Sequence, residues 1–90
     1  MSAVGVPLHL RQCVLERFAL ARSRWASSSL DRVRFVACDL RGADLSGLRD
    51  RVHAVLFEDC DLDGANLGGL PIAEVLFARC SLAGTIMPSA

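Results

Sequence analysis

Four cysteines, two histidines and ten carboxylates are the residues of this 90-residue chain that could bind a metal, attack a substrate or move a proton. Zinc needs thiolates or imidazoles converging on one point, usually supplied as pairs two to four residues apart. Cys13, Cys38, Cys60 and Cys80 form no such pair, and the last three recur at matching places in a repeat, so they project in parallel. Stacked neighbours come near disulfide range, but a reducing compartment keeps them as thiols. Their expected role is that of buried small apolar groups. His9 and His53 have no serine or cysteine beside them at a turn suited to a nucleophile, and both are expected at the surface. A phosphate-binding glycine loop, a metal triad and a nucleophile–base pair are all missing. No catalytic, cofactor-binding or metal-ligating residue is expected, and the chain reads as a protein that is not an enzyme.

What positions these residues is a repeat. Val33 to Leu45 (VRFVACDLRGADL) recurs as Val55 to Leu67 (VLFEDCDLDGANL) and as Val75 to Met87 (VLFARCSLAGTIM). Inside each copy a large apolar residue comes at every fifth place, with a small or apolar residue two before it. Such internal periodicity is the signature of a solenoid. The pentad centres are Leu10, Leu15, Leu20, Trp25, Leu30, Phe35, Leu40 and Leu45, then Phe57, Leu62, Leu67, Ile72, Phe77, Leu82 and Met87. Val52 supplies the missing centre if two residues are inserted among Arg49, Asp50 and Arg51.

Four pentads per turn place like residues in columns: Leu15, Phe35, Phe57 and Phe77 in one, Leu20, Leu40, Leu62 and Leu82 in the next. Trp25, Leu45, Leu67 and Met87 make a third, and Leu10, Leu30, Val52 and Ile72 a fourth. Two places earlier, Cys13 stacks with Val33, Val55 and Val75, and Phe18 with Cys38, Cys60 and Cys80. Leu8 to Met87 then gives about four coils, roughly 20 Å tall at the spacing of hydrogen-bonded strands. Gly42, Gly47, Gly64, Gly69 and Gly84 fall two after a centre, where a corner needs a conformation costly for other residues.

The segments Cys38 to Gly47 (CDLRGADLSG) and Cys60 to Gly69 (CDLDGANLGG) resemble the pentapeptide-repeat family, whose motif is A(D/N)LxX. The resemblance implies an all-β, right-handed, quadrilateral β-helix over a single domain, residues 1–90, with repeats from about 8 to 87. The first coil departs most, with Phe18 and Trp25 expected inside.

Candidate binding residues follow from the register. Arg34, Leu56 and Leu76 share an outward position, with Val14 below them and Val36 and Ala78 across the phenylalanine column; exposed stacked leucines mark an interface. Arg49 and Arg51 in the insertion could clamp a carboxylate or phosphate. Asp39 and Asp61 share an outward place that could mimic the regular charge of duplex DNA, or simply cap backbone N–H groups near corners.

Net charge is zero, but six arginines against Glu16 and Asp31 precede Ala37, and four arginines face eight acids after it. One end is therefore expected to be basic and the other acidic, an arrangement that could orient a partner. The 52% hydrophobic content excludes a disordered chain. No apolar run approaches the ~20 residues of a membrane span, and no secretory signal is visible, so a cytoplasmic setting is expected. The chain ends soon after its last repeat, leaving a coil edge for self-association or a partner.

The expectation is a non-catalytic protein-interaction scaffold, binding a protein partner or itself through flat faces and using no cofactor. The alternative implied by the resemblance is a DNA-mimicking modulator of DNA gyrase or topoisomerase, like the family's quinolone-resistance proteins. Those are longer, acidic and dimerise through a C-terminal helical segment, whereas this chain is neutral. Direct nucleic-acid binding by the arginine-rich first third is disfavoured, because Phe18 and Trp25 belong to core columns and cannot stack on bases.

Overall fold

The computed structural model describes residues 9–25, 28–49 and 51–87. Leu8 and Asp50, both used in the repeat register, lie outside the described residues, as does the end of the chain after Met87. Among the described residues there are seven short strands: β1 (His9–Arg11), β2 (Val14–Glu16), β3 (Ser29–Asp31), β4 (Arg34–Val36), β5 (Val52–His53), β6 (Val55–Glu58) and β7 (Val75–Ala78). All pairing is parallel, with β1-β3-β5 on one face and β2-β4-β6-β7 on the next. The other two faces are held by single bridges, Ala19–Asp39–Asp61–Ser81 and Arg24–Asp44–Asn66–Ile86. This is a four-sided β-helix, and no α-helix occurs among the described residues.

The expected columns hold. Leu15, Phe35, Phe57 and Phe77 are direct partners, as are Leu10, Leu30 and Val52, so the two-residue slip near Arg49 is real. The coil count is corrected. Three turns are complete, but the fourth lacks its strand on the first face, where a 3-10 turn, Ile72–Glu74, stands instead.

The physical reason is Pro71. In each regular rung the residue before a centre donates its N–H to the coil beneath, as Leu56 N does to Val33 O at 3.0 Å and Asp61 N to Cys38 O at 3.1 Å. Proline has no N–H to give. The chain turns instead, with Glu74 N donating to Pro71 O at 2.9 Å. That turn would leave Ala54 N without a strand acceptor, and Glu74 Oε1 accepts its hydrogen bond at 3.1 Å. A side-chain carboxylate thus stands where a ladder carbonyl would be.

Below it the insertion uses the reverse substitution. Arg51 N is diverted to Leu48 O at 2.9 Å. The Arg51 guanidinium then serves the coil beneath, with Nε donating to Ser28 O at 3.2 Å and Nη2 to Gly47 O at 2.9 Å.

Inward positions fill a narrow core in which Phe35, Phe57, Leu40, Leu45, Leu62 and Leu67 are almost fully enclosed. The phenyl rings stack at 4.9 Å (Phe35–Phe57) and 5.4 Å (Phe57–Phe77), and Trp25 meets Phe35 edge-on at 5.9 Å. Such offset or edge contacts suit the ring quadrupoles. Trp25 is buried as expected, its Nε1 donating to Ser23 Oγ at 2.8 Å. Phe18 is a correction: it is 50% exposed. Its column is built for a thiol, since Cys38, Cys60 and Cys80 each place Sγ 3.2 Å from the carbonyl of Leu15, Phe35 and Phe57. A benzyl group cannot enter that slot.

The corners explain the glycines only in part. Gly42 and Gly64 adopt φ of 68° and 73°, in the left-handed region. Yet Arg17, Arg22, Arg32, Ala37, Ala54, Asp59 and Arg79 hold the same conformation. The corner imposes it because the left-handed residue aims its N–H at the next coil, as in Arg22 N to Arg41 O at 2.8 Å and Gly42 N to Asp63 O at 2.9 Å. Gly47 differs, lying within a 3-10 turn, Ser46–Leu48.

Candidate docking face

Strands β2, β4, β6 and β7 lie one above another, so alternate residues point in and out. Inward go the phenylalanine column and Val33, Val55 and Val75. Outward go two columns: Val14, Arg34, Leu56 and Leu76, then Glu16, Val36, Glu58 and Ala78. Leu76 is 69% exposed and Val14 55% exposed. Leu56 and Val36, both expected outside, are half-buried among their neighbours. A shallow depression of about 290 Å³ opens beside Leu56 and Leu76, bounded by Ala54, Val55, Ala73 and Glu74.

Arg34, Glu58 and Arg79 neutralise one another at this face, while Glu16 stands exposed without an ion pair among the described residues. Glu58 accepts from Arg34 Nη2 and, at 3.3 Å, from Arg79 Nη2. The Arg34 hydrogen bond comes first among the causes that hold the Glu58 carboxyl below its ordinary 4.5, with Arg79 adding to it. Arg79 also bonds Asp59 through Nε at 2.7 Å, which lowers Asp59 as well.

On the third face Asp39 and Asp61 are bridge partners, as the register requires. Asp39 takes both Arg41 nitrogens, Nε at 2.9 Å and Nη2 at 2.8 Å, and its carboxyl is held down by that guanidinium. Asp61 lies 3.9 Å from Arg41 Nε. Each also accepts a backbone N–H two residues on, Arg41 N at 3.2 Å and Asp63 N at 3.1 Å. Asp44 and Asn66 cap Ser46 N and Gly68 N in the same way. Local capping by Asx side chains accounts for the acids at these places.

Arg49 and Arg51 are not brought together as a clamp. Arg51 is spent on carbonyls, whereas Arg49 is exposed and lines an open groove of about 610 Å³ with Ser46, Gly47, Gly68 and Gly69. Sequence reading missed the structural use of Arg51, because nothing in a pentad pattern marks a side chain that replaces a ladder donor. The charge split also differs from expectation. Arg11, Arg17, Arg22 and Arg24 do crowd the first coil, but the acids Glu58, Asp59, Asp61 and Asp63 gather in the third, and the fourth carries Glu74 and Arg79.

No group of His, Cys, Asp and Glu among the described residues could hold a metal ion. His9 bonds Ser29 Oγ at 2.8 Å, and His53 lies 3.9 Å from Glu74. All four cysteines are free thiols. Burial pushes the Cys60 thiol up to about 11, so it is a poor nucleophile at neutral pH. Among the described residues no helix is long and apolar enough to cross a membrane.

A parallel solenoid whose chemistry lies in flat outer walls, with no convergent catalytic group among the described residues, defines a repeat protein. The family model for pentapeptide repeats matches residues 9–47 in eight copies, which supports the resemblance to that family carried by the repeat motifs. The family supports a non-catalytic repeat protein in general. Neither the curated proteins nor the solved structures give a match.

Proposed function

We propose that the chain is a protein-interaction scaffold of the cytoplasm and that the β2-β4-β6-β7 face is where it docks a protein. The observation that carries this reading is the outward column on that sheet, with Val14 and Leu76 more than half exposed beside an apolar depression. Exposed apolar groups on a regular wall lose water on docking, at about 25 cal/mol per Å² of apolar surface covered. Arg34 and Glu58 on the wall are already paired with each other, so among the described residues of the wall only Glu16 would have to lose water as a free ion on contact. Four free thiols accord with a reducing compartment.

The test is a pull-down from source-cell lysate, comparing the chain with Leu76→Arg. A partner retained by the first and lost by the second supports the reading. An unchanged set of partners sinks it.

The second reading, a duplex-mimicking modulator of DNA gyrase, draws on the regular spacing of Asp39 and Asp61. Arg41 beside both, and Arg79 on Glu58 and Asp59, oppose it by cancelling the field that a mimic needs. Gyrase subunits in the same pull-down, lost on Asp39→Asn/Asp61→Asn and kept on Leu76→Arg, would reverse that preference.

A further inference from the structure

The pattern of the docking face is complementary to itself when one copy is turned end over end. Consider a two-fold axis lying in the plane of the face, running along the strands midway between β4 and β6. It sets the first coil of one copy against the fourth of the other, and the second against the third, while each outward column faces its own counterpart.

Val14 then lies opposite Leu76 of the other copy and beside the depression next to it, twice over. Arg34 comes opposite Leu56, where its aliphatic stem covers the leucine as such stems commonly do. At the same height its guanidinium has the other copy's Glu58 one alternate residue along the strand. The same alternation brings Val36 beside Leu56. Glu16 falls next to Arg79, which already draws two carboxylates of its own coil. One like-charge meeting results, Arg17 with Arg79, and it falls at the corner, where Arg79 is already neutralised by Glu58 and Asp59.

We infer that this face is occupied by a second copy of the chain, packed sheet on sheet with its long axis reversed. The inference rests on the docking reading of the same face and names its occupant. Two parallel sheets related in this way keep their strands aligned, as packed sheets do. Four rungs at ~4.8 Å make a face far smaller than the ~800 Å² per partner of a standard interface. The dimer is therefore reversible, with dissociation in the range of roughly tens to hundreds of micromolar.

Two measurements on the purified full chain test it. Sedimentation equilibrium over roughly two decades of concentration around ~100 µM should show a monomer–dimer equilibrium. Val14→Asp and Leu76→Arg should each weaken association by about tenfold or more, and the double variant should recover most of the loss. Separately, a mixture of Val14→Cys and Leu76→Cys chains under mild oxidation should yield a mixed disulfide dimer. Either variant alone, like the wild type, should link poorly, because each position faces the other and not itself.

A chain that stays monomeric throughout overturns the proposal, as does Leu76→Cys linking to itself as readily as to Val14→Cys. If the monomer still loses a captured partner on Leu76→Arg, the second copy is rejected while the docking face stands. If neither capture nor association responds to Leu76→Arg, both fall together.

Discussion

The first and second faces of this solenoid carry the same pentad pattern, with apolar centres Ile72 and Phe77 in the fourth coil, yet only the second face completes its sheet. Phe77 stacks on Phe57 and β7 pairs with β6 over four residues. One pentad earlier, Pro71 removes a donor and the chain turns through Ile72–Glu74. Side-chain periodicity decides which residues point inward; the supply of backbone donors decides whether the rung closes. The first face answers each interruption with a side chain, Arg51 as donor and Glu74 as acceptor. The second face needs neither.

The strongest way to break this comparison is to attack the second face at its core. Phe57→Ala removes the middle ring of the stack and should cost about 3–5 kcal/mol, measured by urea denaturation. Because the same coils build all four walls, the first face should unfold with it in one transition. If β1-β3-β5 amides kept their protection after the second face had melted, the two walls would be independent units.

Glu74→Ala separates the faces more gently. It leaves the Ala54 N–H without its carboxylate acceptor, a loss of about 1–3 kcal/mol if the group stays dry and less if water replaces the oxygen. The Ala54 amide should exchange faster while those of β7 do not change, and Glu74→Gln, which keeps an acceptor oxygen, should restore much of the protection. Equal acceleration on both faces would show that Glu74 acts on the whole coil.

Acid gives the smallest and most graded contrast. Glu58, on the second face, is held below its ordinary 4.5, and Asp39, Asp59 and Asp63 below 3.8. A carboxyl with a lowered folded-state value binds fewer protons folded than unfolded, so its stabilisation is complete above the unfolded value and fades as pH falls through the folded one. Stability should therefore be level above about pH 5 and decline below 4.5. Arg34→Gln should flatten the part of that slope that Glu58 supplies. A urea midpoint that did not change from neutral pH down to the carboxylate range would show that these ion pairs contribute nothing, as exposed pairs often do.

Much of this architecture was legible because side-chain identity repeats along the axis. Phenylalanine over phenylalanine and cysteine over cysteine set the register, and Val52 located the slip. The paired leucines were placed on the outer wall correctly, although Leu56 is half-buried by its neighbours, which a column assignment cannot weigh. What stayed hidden depends on groups outside the pattern. Pro71 sits one place before a centre, where an apolar count ignores it and a count of N–H donors would not. Arg51 looked like a ligand clamp because its carbonyl partners, Ser28 O and Gly47 O, lie in backbone that no residue type reports. Phe18 fills the column position of a cysteine, and the mismatch in volume was itself the sign that it would stand out.

The stacked thiols have a use in the laboratory. Cys38 and Cys60 are enclosed and Cys80 half-enclosed, each at the same height within its own coil and each against the carbonyl of the coil beneath. An alkylating reagent can reach such a sulfur only when neighbouring coils part. The mass added at each site, followed over time, would therefore write out the sequence in which the solenoid unzips, with no foreign label introduced.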